Sequence, residues 1–170
     1  MSKTMAMRHQ MMQCYNFYTK KPIDSHAVEV GPGNVVALAD VDAGLCIADI
    51  LGNFSVHDDV YMAKWVTIHG ISYRSDMFLV VAVSQEGQPV FCRIRHILLL
   101  AAKPYLVVEQ WLTNDFDRHN YAFCVQRDQS GIISILGAES ILDYYPLSIK
   151  ESFASDNNHL YLVMRHKPWY

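Results

Sequence analysis

The feature that most constrains this chain is a succession of strand-like segments with almost no helical periodicity between them, from residue 62 to residue 126. Segments 62–69, 77–83, 89–102, 105–113 and 120–126 are rich in β-branched and aromatic side chains. Short polar, glycine or proline breaks part them. Val90, Cys92 and Ile94 alternate with Phe91, Arg93 and Arg95. Leu106, Val108, Gln110 and Leu112 oppose Tyr105, Val107, Glu109 and Trp111, and Tyr121, Phe123 and Val125 oppose Ala122, Cys124 and Gln126. Such alternation implies one dry and one wet face, because a slip of one residue would exchange them. Segment 77–83 is apolar on both faces and reads as a covered central strand. The expectation is a mainly β chain: a small antiparallel barrel or sandwich of about six to eight strands, with one or two short helices.

Around this centre the signals are sparser. Segment 34–39 reads as a strand, and Val41, Leu45, Ala48 and Leu51 have helical spacing that Gly52-Asn53 would end. Residues 72–76 and 114–120 read as polar loops, and 85–88 and 127–131 as hairpin links. A short strand over 132–136, a helical turn over 138–143 and a closing strand over 160–166 complete the expectation. Residues 1–34 read as a lead-in arm or linker, with five methionines before residue 14 and Gly31-Pro32-Gly33 as a turn. Residues 35–170 read as a single β-rich domain, a size that suits one core.

Bulk composition narrows the function classes. Apolar residues make up 51% and charged residues 18%, enough to drive folding. The net charge of −3 lacks the basic excess of a phosphate-gripping domain, so nucleic acid is not an expected partner. Cys14, Cys46, Cys92 and Cys124 are widely spaced, without a C-x-x-C pair. They read as reduced thiols of an intracellular protein, cytoplasmic or nuclear, with the last three packed as small hydrophobes. Apolar runs such as 97–102 are too short to cross a bilayer and no secretory pattern opens the chain, so no membrane partner is expected.

Three stretches carry a family resemblance: Tyr73-Arg74-Ser75-Asp76-Met77-Phe78, Phe91-Cys92-Arg93-Ile94-Arg95-His96-Ile97-Leu98 and Asp143-Tyr144-Tyr145-Pro146-Leu147. Over about residues 35–170 the chain resembles uncharacterised C-terminal domains of large, repetitive, mobile-element-associated open reading frames of fish and other aquatic animals. That resemblance implies a terminal domain of a larger protein and brings no assigned activity. Segments 77–83, 91–97 and 107–111 also resemble, in their order, the distorted barrel of bromo-adjacent homology domains. No aromatic cage of the kind such domains can use for methyl-lysine can be placed on this sequence.

No nucleophile elbow, phosphate-cradling loop or paired metal-ligand motif occurs, so catalysis is not the leading expectation and no cofactor is expected. Trp65, Tyr105, Glu109, Trp111 and Tyr121 are the candidate binding residues. Aromatic rings gathered on one wet face, beside Glu109 and Asp115, would take a basic or methylated peptide by cation–π contact. The leading expectation is therefore a non-catalytic protein- or peptide-binding module. The runner-up is a metal-dependent hydrolase. Asp115, Asp117 and His119 alternate, so an extended strand would set them on one face, with Asp58 or Asp59 converging from a second loop. A third expectation is a structural domain whose exposed edge strand pairs with a copy of itself.

Overall fold

The structure, a computed structural model, describes residues 15–16, 21–22, 28–41, 44–52, 55–68, 70–118, 122–137, 140, 146–147, 149–150 and 159–163. In chain order the strands are β1 (Tyr15–Asn16), β2 (Lys21–Pro22), β3 (Val28–Val30), β4 (Gly33–Ala37), β5 (Asp59–Ala63), β6 (Trp65–Ile68), β7 (Ile71–Arg74) and β8 (Phe78–Val83). They continue with β9 (Pro89–Leu100), β10 (Lys103–Asp117), β11 (Ala122–Arg127), β12 (Ile133–Gly137), β13 (Ile149–Lys150) and β14 (His159–Val163). Among the described residues a 3-10 turn (Leu38–Asp40) and an α-helix, α1 (Gly44–Leu51), interrupt them. The fold is mainly β and sandwich-like, with antiparallel sheets that close no barrel among the described residues.

The large sheet runs β13-β14-β11-β10-β9-β5-β4, with β12 also on β10 and β8 also on β9. A three-stranded sheet, β3-β6-β7, forms the second layer, and β1 pairs with β2 alone. The long expected strand over 62–69 is two strands, since the chain leaves the large sheet after Ala63 and enters the small one at Trp65. Its partner does the same between Val30 and Gly33. The Lys64 amide donates to Pro32 O at 2.9 Å and the Gly31 amide to Trp65 O at 2.9 Å, so the pair turns the corner together. Gly31-Pro32-Gly33 is thus a bend between sheets rather than a reversing turn. A Cβ on Gly31 would run into the Trp65 indole, and one on Gly33 into the Met62 carbonyl. Val28–Val30 and Gly33–Ala37 also place part of the expected lead-in inside the sheets.

Side-chain alternation on β10 sorts the core. Leu106 and Val108 face the small sheet, among Val66, Ile68, Tyr73, Leu79, Cys92, Ile94 and Ile97. Val107 faces the other way, under α1, with Leu38, Ile47, Val60, Leu98 and Leu100. Four residues further along that same face, Trp111 belongs to a third cluster with Phe78, Phe91, Phe123, Val125 and Leu162. Glu109 lies between Val107 and Trp111, and hence between the two apolar clusters. Cys92 packs in the first cluster, and burial pushes its thiol up to about 11.

Two segments differ from expectation for local reasons. Residues 72–74 belong to β7, because Tyr73 turns inward and is fully buried while Ser72 and Arg74 stay exposed. Residues 114–117 are the end of β10, held by pairing with β11 across a bulge near Thr113. Segment 127–131 does not close a hairpin. β11 and β12 both pair with β10, one after the other along a single edge, and the segment links them. The expected strand over 34–39 and helix over 41–51 are shortened to Gly33–Ala37 and Gly44–Leu51. Gly52, at φ 64°, ends the helix with its amide on Ala48 O. The expected turn over 138–143 lies almost wholly outside the described residues.

Candidate functional site

The centre of the large sheet has a waist. On one edge β10 pairs with β12 as far as Glu109 and with β11 from Trp111 onward. The Gln110 amide bridges the change of partner by donating to Ile132 O at 3.2 Å. On the other edge, Val107 opposes His96 and Val108 opposes Ile94, which leaves Arg95 as an extra residue in β9. This bulge shifts the phase of the strand. Phe91 and Arg93 share a face with Trp111 and Glu109, and after the bulge His96 and Leu98 continue it. Three polar side chains of β9, Arg93, Arg95 and His96, are thereby gathered at the waist.

Glu109 is the only buried charged residue among those described, at 3% exposure. Arg127 Nε donates to its Oε1 at 2.6 Å, and Nη2 makes an ion pair with the same oxygen at 2.6 Å. Arg95 Nη1 lies 3.5 Å from Oε2, an ion-pair distance at which no hydrogen bond forms. A buried carboxylate persists only when cations and donors offset its lost hydration, and two guanidiniums meet that need here. Glu109, Arg95, His96, Val107, Arg127, Gly131 and Ile133 line a recess of about 130 Å3.

A larger groove of about 590 Å3 adjoins it and shares Arg127 and Gly131. Its other lining residues are Arg93, Trp111, Gln126, Asp128, Gln129 and Leu160. Trp111 is 5% exposed, set edge-on against Phe78 with ring centroids 5.2 Å apart, and Arg93 Cζ lies 6.0 Å from its ring. Arg93 in turn donates from Nε and Nη2 to Asp76 Oδ1, at 3.1 and 2.7 Å. One wall is the 128–131 turn. Asp128 accepts from the Ser130 hydroxyl at 2.6 Å and its amide at 3.0 Å, and both bonds hold the Asp128 carboxyl below its usual range. Gly131 closes the turn at φ 61°.

The expected binding residues that are described, Trp65, Tyr105, Glu109 and Trp111, do not form one wet aromatic face. Trp65 is half-buried in the small sheet at the Gly31 corner. Tyr105 packs against the cluster under α1. Trp111 is core, with its rim at the groove, and Tyr121 lies outside the described residues. Glu109 already holds two arginines, so it offers no free charge to a basic or methylated peptide. The reason is register: Glu109 sits on the face that carries Val107 and Trp111, and both neighbours are buried. Arg93, Arg95 and Arg127 are the groove and recess residues that the sequence reading left out of the site.

The acidic segment lies elsewhere. Asp115 Oδ1 accepts the Phe116 amide at 2.7 Å. Asp115 and Asp117 both act on Cys124, whose thiol is raised first by burial and then by Asp115. His119 lies outside the described residues. Asp59 cannot join them: two residues on, Tyr61 opposes Leu99, and Leu99 opposes Pro104, eleven residues before Asp115. That separation is roughly 35 Å along the strand. Asp58 is engaged locally, its Oδ2 accepting the Ser55 amide at 2.7 Å. Among the described residues no group of three or more His, Cys, Asp or Glu could hold a metal ion.

No helix among the described residues is long and apolar enough to cross a membrane. No protein-family model, curated protein or solved structure matches the chain.

Proposed function

We propose that this chain is a non-catalytic peptide-binding module that takes an extended segment of a partner protein into the groove beside Trp111. The groove itself carries the reading: about 590 Å3, within the size range of ligand sites, and open between two strands and a turn. Its make-up suits a peptide. The Trp111 rim and Leu160 offer apolar contact, while Arg93, Arg127, Gln126 and Gln129 offer hydrogen-bonding groups on either side. Trp111 is held by Phe78 from within the core, so the floor is rigid before any ligand arrives.

The test is selection of random heptapeptides against the full chain, followed by amide-shift mapping with the synthetic peptides recovered. The expected result is saturable shifts at Gln129, Gly131 and Leu160, with none at Asp115 or Asp117. Peptides that bind but move only amides remote from the groove would overturn the reading.

A further inference from the structure

We infer that Arg127 is the receptor for a single carboxylate of an acidic peptide, and that the buried Glu109 is the residue that aims it. The inference rests on the peptide-groove reading and names the chemistry that this groove selects. A guanidinium carries five N–H groups in a rigid plane. Arg127 uses one edge of that plane, Nε and Nη2, on Glu109 Oε1. Among the described residues, nothing takes the outward hydrogens of Nη1 and Nη2. They form the end of the fork, which matches the two oxygens of a carboxylate.

The burial of the pair is lopsided: the Glu109 side chain is 4% exposed and that of Arg127 61%. One partner is fixed in the sheet while the other stands in the open and lines the groove. A surface arginine ordinarily loses rotamer freedom when it grips an anion. Arg127 has lost that freedom already, to Glu109. An incoming carboxylate takes the Nη1–Nη2 end and leaves the Nε contact with Glu109 in place, so no buried charge is stranded.

The surroundings favour one anion over many. Asp128 follows Arg127 in the chain and lines the same groove, and Asp76 holds Arg93 at 2.7 Å. A run of phosphates would meet Asp128 and find Arg93 already neutralised by Asp76, on a chain whose net charge is already −3. A lone Asp or Glu beside an apolar residue would meet Arg127 and Leu160 instead.

The experiment uses the selected heptapeptides and their acid-to-amide counterparts, Glu to Gln or Asp to Asn. Selection on the native chain is expected to enrich an acidic residue next to an apolar one. The amide counterpart should bind roughly ten-fold more weakly, the worth of a charge-assisted bidentate contact. R127K keeps the charge but loses the fork, and should bring the acid-over-amide ratio close to one. E109Q should lower the ratio and move the Arg127 Nε resonance. A merely structural loss would weaken both peptides alike and leave the ratio intact. Absence of acidic enrichment, or a ratio unchanged in R127K, overturns the inference while peptide-induced shifts at Gly131 keep the groove reading alive. Peptides that never move Gly131 overturn both.

Discussion

Glu109 and Asp76 each hold an arginine, at 2.6 and 2.7 Å, yet one carboxylate side chain is 4% exposed and the other 68%. They share a neighbourhood as well: Glu109 sits directly opposite Arg93 in the β9–β10 register, while Arg93 turns to Asp76. Bond length is nearly identical, so it does not decide what each pair contributes. Solvation does. Asp76 is hydrated with or without Arg93, and its pair competes with water. Glu109 has surrendered its hydration to sit between two apolar clusters, and its arginines replace what water supplied.

The largest expected effect follows from removing the exposed half of the buried pair. R127A leaves Glu109 with Arg95 alone at 3.5 Å. The loss should be about 2–3 kcal/mol in urea unfolding, most of it surviving 1 M salt, because a buried charge is poorly screened. A loss below about 1 kcal/mol would put the two pairs in one class and break the comparison. A smaller effect is expected at the rim. D76N retains a residue type that tolerates the left-handed backbone at φ 70°. It should cost less than about 1 kcal/mol, and the difference should vanish in 1 M salt, where the Debye length is about 3 Å.

The smallest effect concerns Asp128, part-exposed in the groove wall. Its carboxyl is lowered from 3.8, first by the Ser130 hydroxyl and then by the Ser130 amide. A depressed folded-state value adds stability above 3.8 that is lost as pH falls through the folded value. S130A removes the larger cause, so an NMR titration of Asp128 should move up toward 3.8 and the acid-side loss should shrink. An unmoved titration would mean that the Ser130 hydroxyl does not hold the turn.

The strands were legible because alternation is a local signal. Val90, Cys92 and Ile94 against Phe91, Arg93 and Arg95 needed no partner to be recognised. The bulge was harder to see: Cys92 and Ile94 share the inner face with Ile97, an odd step that only pairing with Val107 and Val108 explains. Tyr73 was hidden because one inward residue between Ser72 and Arg74 looks like a loop. The acidic run 114–117 misled for the opposite reason, since β11 extends β10 beneath side chains that composition assigns to a turn. Glu109 looked wet because its type usually is. Its true partner, Arg127, is eighteen residues away, and only the succession of β11 and β12 along β10 brings them together. Arg93 and Arg95 read as two arginines on the wet side of a strand, which missed that one is tied outward and the other inward.

The bend at Gly31 and Lys64 has a consequence for how the molecule comes apart. Both layers are sewn from the same two-stranded ribbon, with no slack tether between them, so neither can peel away while the other stays intact. Pulling, heating or cutting at that fold-over point should therefore dismantle the whole body in a single step, and transplanting the small sheet by itself would carry half a seam.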